Sequence, residues 1–318
     1  MLLAYDRRMR IESRVAAFGA LAGGMIAISW SAIFVRWTRM PGASSAFYRM
    51  AIAALVLWPL VLLLGKSARG LSARTLWTVV AGGVFFAGDV GFWNVAVMHT
   101  SAANATFLSN CSPLFLGLIL WIVTRRLPPG RFWIALVLGL TGTGLIVFGD
   151  LRHSVVQAPE HAGADGFAVI AAICFALYLV ITSRLREHCE TAVLLAVSTT
   201  ASAATLLIFA LAAHISLAVP GVGPLWALLA MALVCQVGGY FGLTYALGHL
   251  PATVTSILWL AVAPMTAVFA WIIFGERMRP VEILGGALLL VGVWIVGRKE
   301  KDPQEMPEPE LVPPVAQV

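Results

Sequence analysis

Ten apolar blocks, each about the length of a bilayer crossing, constrain this chain more than any other feature. They lie at about 15–35, 43–65, 76–98, 101–124, 130–149, 166–184, 191–213, 224–247, 251–274 and 280–298. A helix covers about 30 Å of hydrocarbon with about 20 residues. The blocks are continuous and do not alternate apolar with polar, so helices are the expected spanning form. Turn-forming residues separate them: Met40-Pro41-Gly42, Pro128-Pro129-Gly130, and Pro220-Gly221 with Pro224. The first block exceeds a signal-peptide core of about 7–15 residues and no Ala-x-Ala site follows it, so it reads as a retained span.

Composition agrees. Hydrophobic residues make up 60% of the chain and charged residues 11%, against about 45–50% and about 25% in soluble domains. Too few polar residues remain to cover a surface facing water. The formal charge of +6 sits between apolar blocks, where it reads as membrane topology and not as a nucleic-acid footprint. Cys111, Cys174, Cys189 and Cys235 form no Cys-x-x-Cys pair, so no metal site, cofactor or disulfide framework is expected.

Lys and Arg set the orientation. With the N-terminus in the cytoplasm, the segments on that side hold Arg7, Arg8, Arg10, Arg14, Lys66, Arg69, Arg74, Arg125, Arg126, Arg131, Arg184, Arg186, Arg298, Lys299 and Lys301. The outer segments hold only Arg36, Arg39, Arg152, Arg277 and Arg279, and Arg49 falls inside the second block. This bias places both termini in the cytoplasm. Four segments are expected: a cytoplasmic stretch at 1–14, five-helix units at 15–150 and 165–298, and a Pro-rich, acidic, disordered tail at 299–318.

The two units echo each other. Ala96-Val97-Met98-His99-Thr100-Ser101-Ala102 followed by Pro113 is matched by Ala246-Leu247-Gly248-His249-Leu250-Pro251-Ala252 followed by Pro264. The offset is 150 residues before the prolines and 151 at them. Five spans per unit is an odd number, so the units enter the membrane in opposite directions. Inverted repeats of this kind serve transporters, whose substrate site lies near midplane where the repeats meet.

In the second unit, Tyr245-Ala246-Leu247, Pro251-Ala252, Pro264, Gly275-Glu276-Arg277, Pro280 and Gly285-Gly286 resemble the closing half of an EamA-type protein of the drug/metabolite transporter superfamily. The first unit resembles its partner through Asp89, Trp93-Asn94-Val95-Ala96, Thr100-Ser101-Ala102-Ala103-Asn104-Ala105-Thr106 and Pro113. It departs where the first repeat ends Thr124-Arg125-Arg126, without a Gly-Glu pair. The resemblance implies an all-α, ten-helix carrier in a bacterial inner membrane, typically exporting amino acids or related small polar metabolites. It leaves the cargo unnamed.

Charges inside hydrocarbon cost about 2.5–3.5 kcal/mol each at a helix centre, so those retained usually face a cavity or a partner. Asp89 lies near the middle of the third block, where low dielectric disfavours its charged form. It is expected to carry a coupling proton or to bind a substrate ammonium; the alternative is a structural acid. Arg49 can fork onto an anionic substrate group or pair with Asp89, or its long stem can snorkel to the nearer interface. Tyr48 adjoins it. Residues four apart share a helix face, which pairs Asp89 with Trp93, Thr100 with Asn104, Gln236 with Tyr240, and Thr255 with Trp259. Tyr48, Arg49, Trp93, Asn104, Gln236, Tyr240 and Trp259 are therefore the candidate substrate-binding residues, although each aromatic could equally be packing or an interface anchor. Pro113 and Pro264 are candidate hinges. Gly19 with Gly23 and Gly238 with Gly242 have the spacing that lets helices approach closely.

An intramembrane enzyme would need clustered catalytic groups, which one Asp and one Arg do not supply. A channel would need rings of charge or a carbonyl filter. The other readings are a nucleotide-sugar or drug carrier of the same superfamily and a non-transporting sensor or assembly subunit. The expected partners are a small polar metabolite and the lipid bilayer.

Overall fold

The computed structural model describes residues 2–99, 107–150, 164–186, 188–274 and 280–298. Thr100, Asn104, Gly275-Glu276 and the tail at 299–318 lie outside them. Among the described residues all regular structure is helical.

Spans 1 to 5 are Ser13–Val35, Gly42–Leu63, Ala73–His99, Phe107–Thr124 and Gly130–Asp150; spans 6 to 10 are Ala164–Leu185, Thr191–Ala212, Val222–Leu247, Ala252–Ile273 and Pro280–Arg298. Nine of the spans are long and apolar enough to cross a bilayer over their described residues, and the 21 residues of span 5 reach about 31 Å. Large apolar side chains such as Leu55, Leu63, Ile122, Ile208, Ile272 and Ile283 point outward, as a bilayer-facing perimeter requires. Exposed tryptophans mark two levels. Trp77, Trp121 and Trp294 stand at the end that carries Lys66, and Trp226 and Trp271 stand at the other, the placement of interfacial aromatic belts.

The helices pair across the repeats and hardly within them. Span 1 packs on span 8 as span 6 packs on span 3; span 2 meets span 8 as span 7 meets span 3. Spans 2 and 7, 4 and 9, and 5 and 10 pack on their own counterparts. Exchanging each span for the one five places on leaves this pattern unchanged, which is the signature of a pseudo-twofold axis.

Small residues permit the closest of these crossings. A Cβ on Gly142 of span 5 would run into the carbonyl of Gly285 in span 10, and one on Gly285 would run into that of Gly142. Spans 1 and 8 meet at Gly24 against Gly239 and at Ala20 against Gly242. Gly19 and Gly23 face open space, so the helix-contact face of span 1 is one residue out of register with the spacing noted in the sequence.

Pro113 and Pro264 do not kink continuous helices. Each follows a break: one at Asn110-Cys111, after which a helix restarts at Ser112, and one at Leu260-Ala261, after which it restarts at Val262. Matching i→i−3 bonds tighten the two breaks, from the Cys111 N–H to the Leu108 carbonyl (3.1 Å) and from the Ala261 N–H to the Leu258 carbonyl (3.0 Å). Proline fits the first turn of the restarted helix because its missing N–H has no intrahelical acceptor there. Span 1 breaks similarly at Trp30, and span 8 passes through a π-helical stretch over Met231–Gly239.

Candidate binding site at the seam of the two repeats

Arg49 lies seven residues into span 2, about 10 Å from that end, but its side chain runs inward and is only 8% exposed. Nε and Nη2 donate to Oε1 of Gln236 at 3.0 and 2.8 Å, and Nη1 donates to Oγ of Ser31 at 3.3 Å. The guanidinium also stands 5.4 Å from the centroid of the Tyr240 ring, within cation–π range. Three spans therefore grip one cation: span 2 supplies it, span 8 supplies the amide and the ring, and the break in span 1 supplies the hydroxyl.

Gln236 is fully buried and uses both ends of its amide, because Nε2 donates to Oγ1 of Thr199 in span 7 at 3.5 Å. Thr199 follows Arg49 by the repeat offset of 150 residues, so counterpart positions of spans 2 and 7 hold the same glutamine from opposite sides. This places Gln236 on the seam between the units. It projects from the π-helical stretch, where wider turns alter which residues share a face; such stretches recur at functional sites. The Gly238-Gly239 pair weakens the ordinary α-helix there.

A wall of rings continues from Tyr240. Its centroid lies 4.7 Å from Phe86 and 5.8 Å from Trp259, and Phe86 stacks on Tyr178 at 4.8 Å. Asp89 follows Phe86 by three residues and so shares its face of span 3. It is half-buried, feels the charge of Arg49, and makes no hydrogen bond or ion pair among the described residues. Trp93, one turn further on, is also half-buried.

Of the residues singled out in the sequence, Arg49, Gln236, Tyr240 and Trp259 come together, with Asp89 beside them. Tyr48 is engaged elsewhere: its hydroxyl donates to the Leu217 carbonyl at 2.8 Å, in the connection between spans 7 and 8. Asn104 lies outside the described residues. Ser31, Phe86, Tyr178 and Thr199 escaped the sequence reading. Phe86 could have been found from its spacing to Asp89, whereas Ser31 and Thr199 carry no local signal. Toward the Lys66 end, a cleft of about 260 Å³ opens between spans 4, 6, 8 and 9, lined by Leu120, Ser183, Arg184, Leu247, Leu250 and Thr253 among others.

A buried polar seam between two oppositely threaded five-helix units defines a membrane transporter of the inverted-repeat class. The chain belongs to the EamA-like transporter family, which it matches twice, over residues 16–148 and 163–298. It is 25% identical over 268 residues to the "Pseudopaline exporter CntI" of Pseudomonas aeruginosa, covering 82% of this chain and 88% of that protein. It is 24% identical over 313 residues to the "Uncharacterized transporter YetK" of Bacillus subtilis, covering 94% and 92%. A solved structure shares the fold with a TM-score of 0.75 at 18% identity, over 89% of this chain and 96% of the other.

Proposed function

We propose that the protein is a secondary-active carrier that exports amino acids or related small polar metabolites by alternating access, with Asp89 carrying a coupling proton. The observation that carries this reading is the Arg49–Gln236 pair, buried where the repeats meet, beside a half-buried Asp89 that makes no ion pair among the described residues. A cation and an acid kept at mid-depth without neutralising each other suit a cargo with charged groups of its own. Arg49, Gln236, Tyr240, Trp259 and Trp93 are assigned to cargo binding. The cleft between spans 4, 6, 8 and 9 is assigned as the cytoplasmic approach, and the breaks ahead of Pro113 and Pro264 as hinges. A named exporter among the relatives supports outward transport. Nucleotide sugars fit less well, because a diphosphate calls for several cations and Arg49 stands alone among the candidate residues.

The test is flux in vesicles reconstituted with the purified protein and screened one metabolite at a time under an imposed pH gradient. Arg49→Ala is expected to lower uptake at limiting substrate by at least about tenfold. Asp89→Asn is expected to leave exchange in place while abolishing gradient-driven accumulation. Accumulation by Asp89→Asn at the wild-type rate and with the wild-type pH dependence would sink the coupling role.

A further inference from the structure

A guanidinium has five N–H donors. Arg49 uses three of them, two on Gln236 and one on Ser31. The Tyr240 hydroxyl also interacts with the guanidinium, but no carboxylate pairs with it among the described residues, although the side chain is only 8% exposed. The centre of the Tyr240 ring stands 5.4 Å from the guanidinium carbon. Both groups that hold the fork are neutral, an amide oxygen and a hydroxyl. Asp89 acts on Arg49 through space without forming an ion pair with it. The cation is thus fixed in direction while its charge stays unspent.

We infer that Gln236 is the specificity-determining residue of the site proposed above, and that the cargo it selects carries a carboxylate. The inference rests on the carrier reading only in placing cargo at this site. A carboxylate accepts from the N–H groups of a guanidinium and offsets its charge, and no carboxylate does so for Arg49 among the described residues. Gln236 keeps that charge available because it holds the fork without neutralising it; a glutamate there would hold the same donors and cancel the charge. The amide has one workable orientation. Its NH2 would repel the Arg49 donors, and the donation of Nε2 to Thr199 keeps Oε1 turned toward them.

The experiment measures binding, by melting temperature and calorimetry on the full-length protein purified in detergent. The probes are leucine, phenylalanine and histidine, each beside its carboxamide. Expected is binding of at least one acid with its amide at least about tenfold weaker. The near-isosteric Gln236→Glu should lose that acid by at least about tenfold while its melting temperature without ligand stays close to wild type. If Gln236→Glu does not fold, Thr199→Val decides: with the amide free to turn, acid affinity should fall severalfold and the preference for acid over amide should persist. Amides binding as well as acids, no probe binding at all, acid affinity unchanged in Gln236→Glu, or, where Thr199→Val decides, unchanged in that variant, would each overturn the inference. Wild-type protein that binds acids but moves no solute across vesicles would defeat the carrier reading and leave this one standing. Solute flux with no preference for acids would do the reverse.

Discussion

The grip on Arg49 combines the hydrogen bonds it donates to Gln236 and Ser31 with the ring of Tyr240, and substitutions at residue 240 separate these parts. Tyr240→Phe keeps the ring and loses only the hydroxyl that faces Arg49, so it should bind cargo slightly more weakly than wild type. Tyr240→Leu removes the quadrupole from beside the cation, and affinity should fall by about 0.5–2 kcal/mol, measured calorimetrically. Equal affinities for the two variants would remove the ring from the site. At this scale the sequence was informative where chemistry is scarce. One Arg and one Asp among apolar residues stand out without any knowledge of the fold. Ser31 and Thr199 do not, because a hydroxyl in a membrane helix is common and most bond their own backbone, as Ser198 does to the Leu195 carbonyl at 3.2 Å.

Among the elements, the helices were legible from hydropathy and their irregularities were not. Proline signals at residues 113 and 264 pointed to the right places with the wrong geometry. The chain breaks just upstream of each proline, since a proline lacks the N–H that would bond the carbonyl four residues back and its ring crowds that carbonyl, and i→i−3 turns close the gap. The π-helical stretch of span 8 has only a Gly-Gly pair to announce it. The glycine spacing in span 1 likewise failed to name the contact face, which depends on how span 8 crosses it. The crossing of spans 5 and 10 gives the sharpest element-scale prediction. Gly142→Val puts side-chain atoms where the Gly285 carbonyl lies and should destabilise the protein by about 1–3 kcal/mol. Gly19→Val, facing open space, should not. Melting curves in detergent compare them directly.

For the molecule as a whole, the ion pair of Lys66 with Glu190 (2.8 Å) ties the connection between spans 2 and 3 to the start of span 7. It therefore links one repeat to the other at one face. If alternating access parts that face, a disulfide between Lys66→Cys and Glu190→Cys should stop flux and a reductant should restore it; unaltered flux in the crosslinked protein would show that the face stays closed. The hydrogen bond and charge of Lys66 hold the Glu190 carboxyl below the usual glutamate range. Whatever this pair contributes is present above the ordinary glutamate pKa and is lost as pH falls through the lowered one. Both side chains are exposed, so salt screens the contribution and it is small. Lys66→Met should remove only this pair's small, salt-sensitive share of the acid dependence of melting. The sidedness we propose, with both termini and Lys66 cytoplasmic, is checked by labelling single cysteines at 66 and 217 with a membrane-impermeant thiol reagent in intact cells. Only the second should react.

The sequence by itself determined that the chain lives in a bilayer, how many times it crosses, and that it is built twice over in opposite senses. Hydrophobicity, length and charge bias are properties of individual segments, and a segment meets the membrane one at a time. The tertiary structure decided that Arg49 turns inward, that Gln236 holds it, and that Thr199 steadies Gln236 from the counterpart helix. The Arg49–Gln236 bond joins residues 187 positions apart on different repeats, and the Gln236–Thr199 bond joins two separate spans of one repeat; only the packing of whole helices brings either pair within reach.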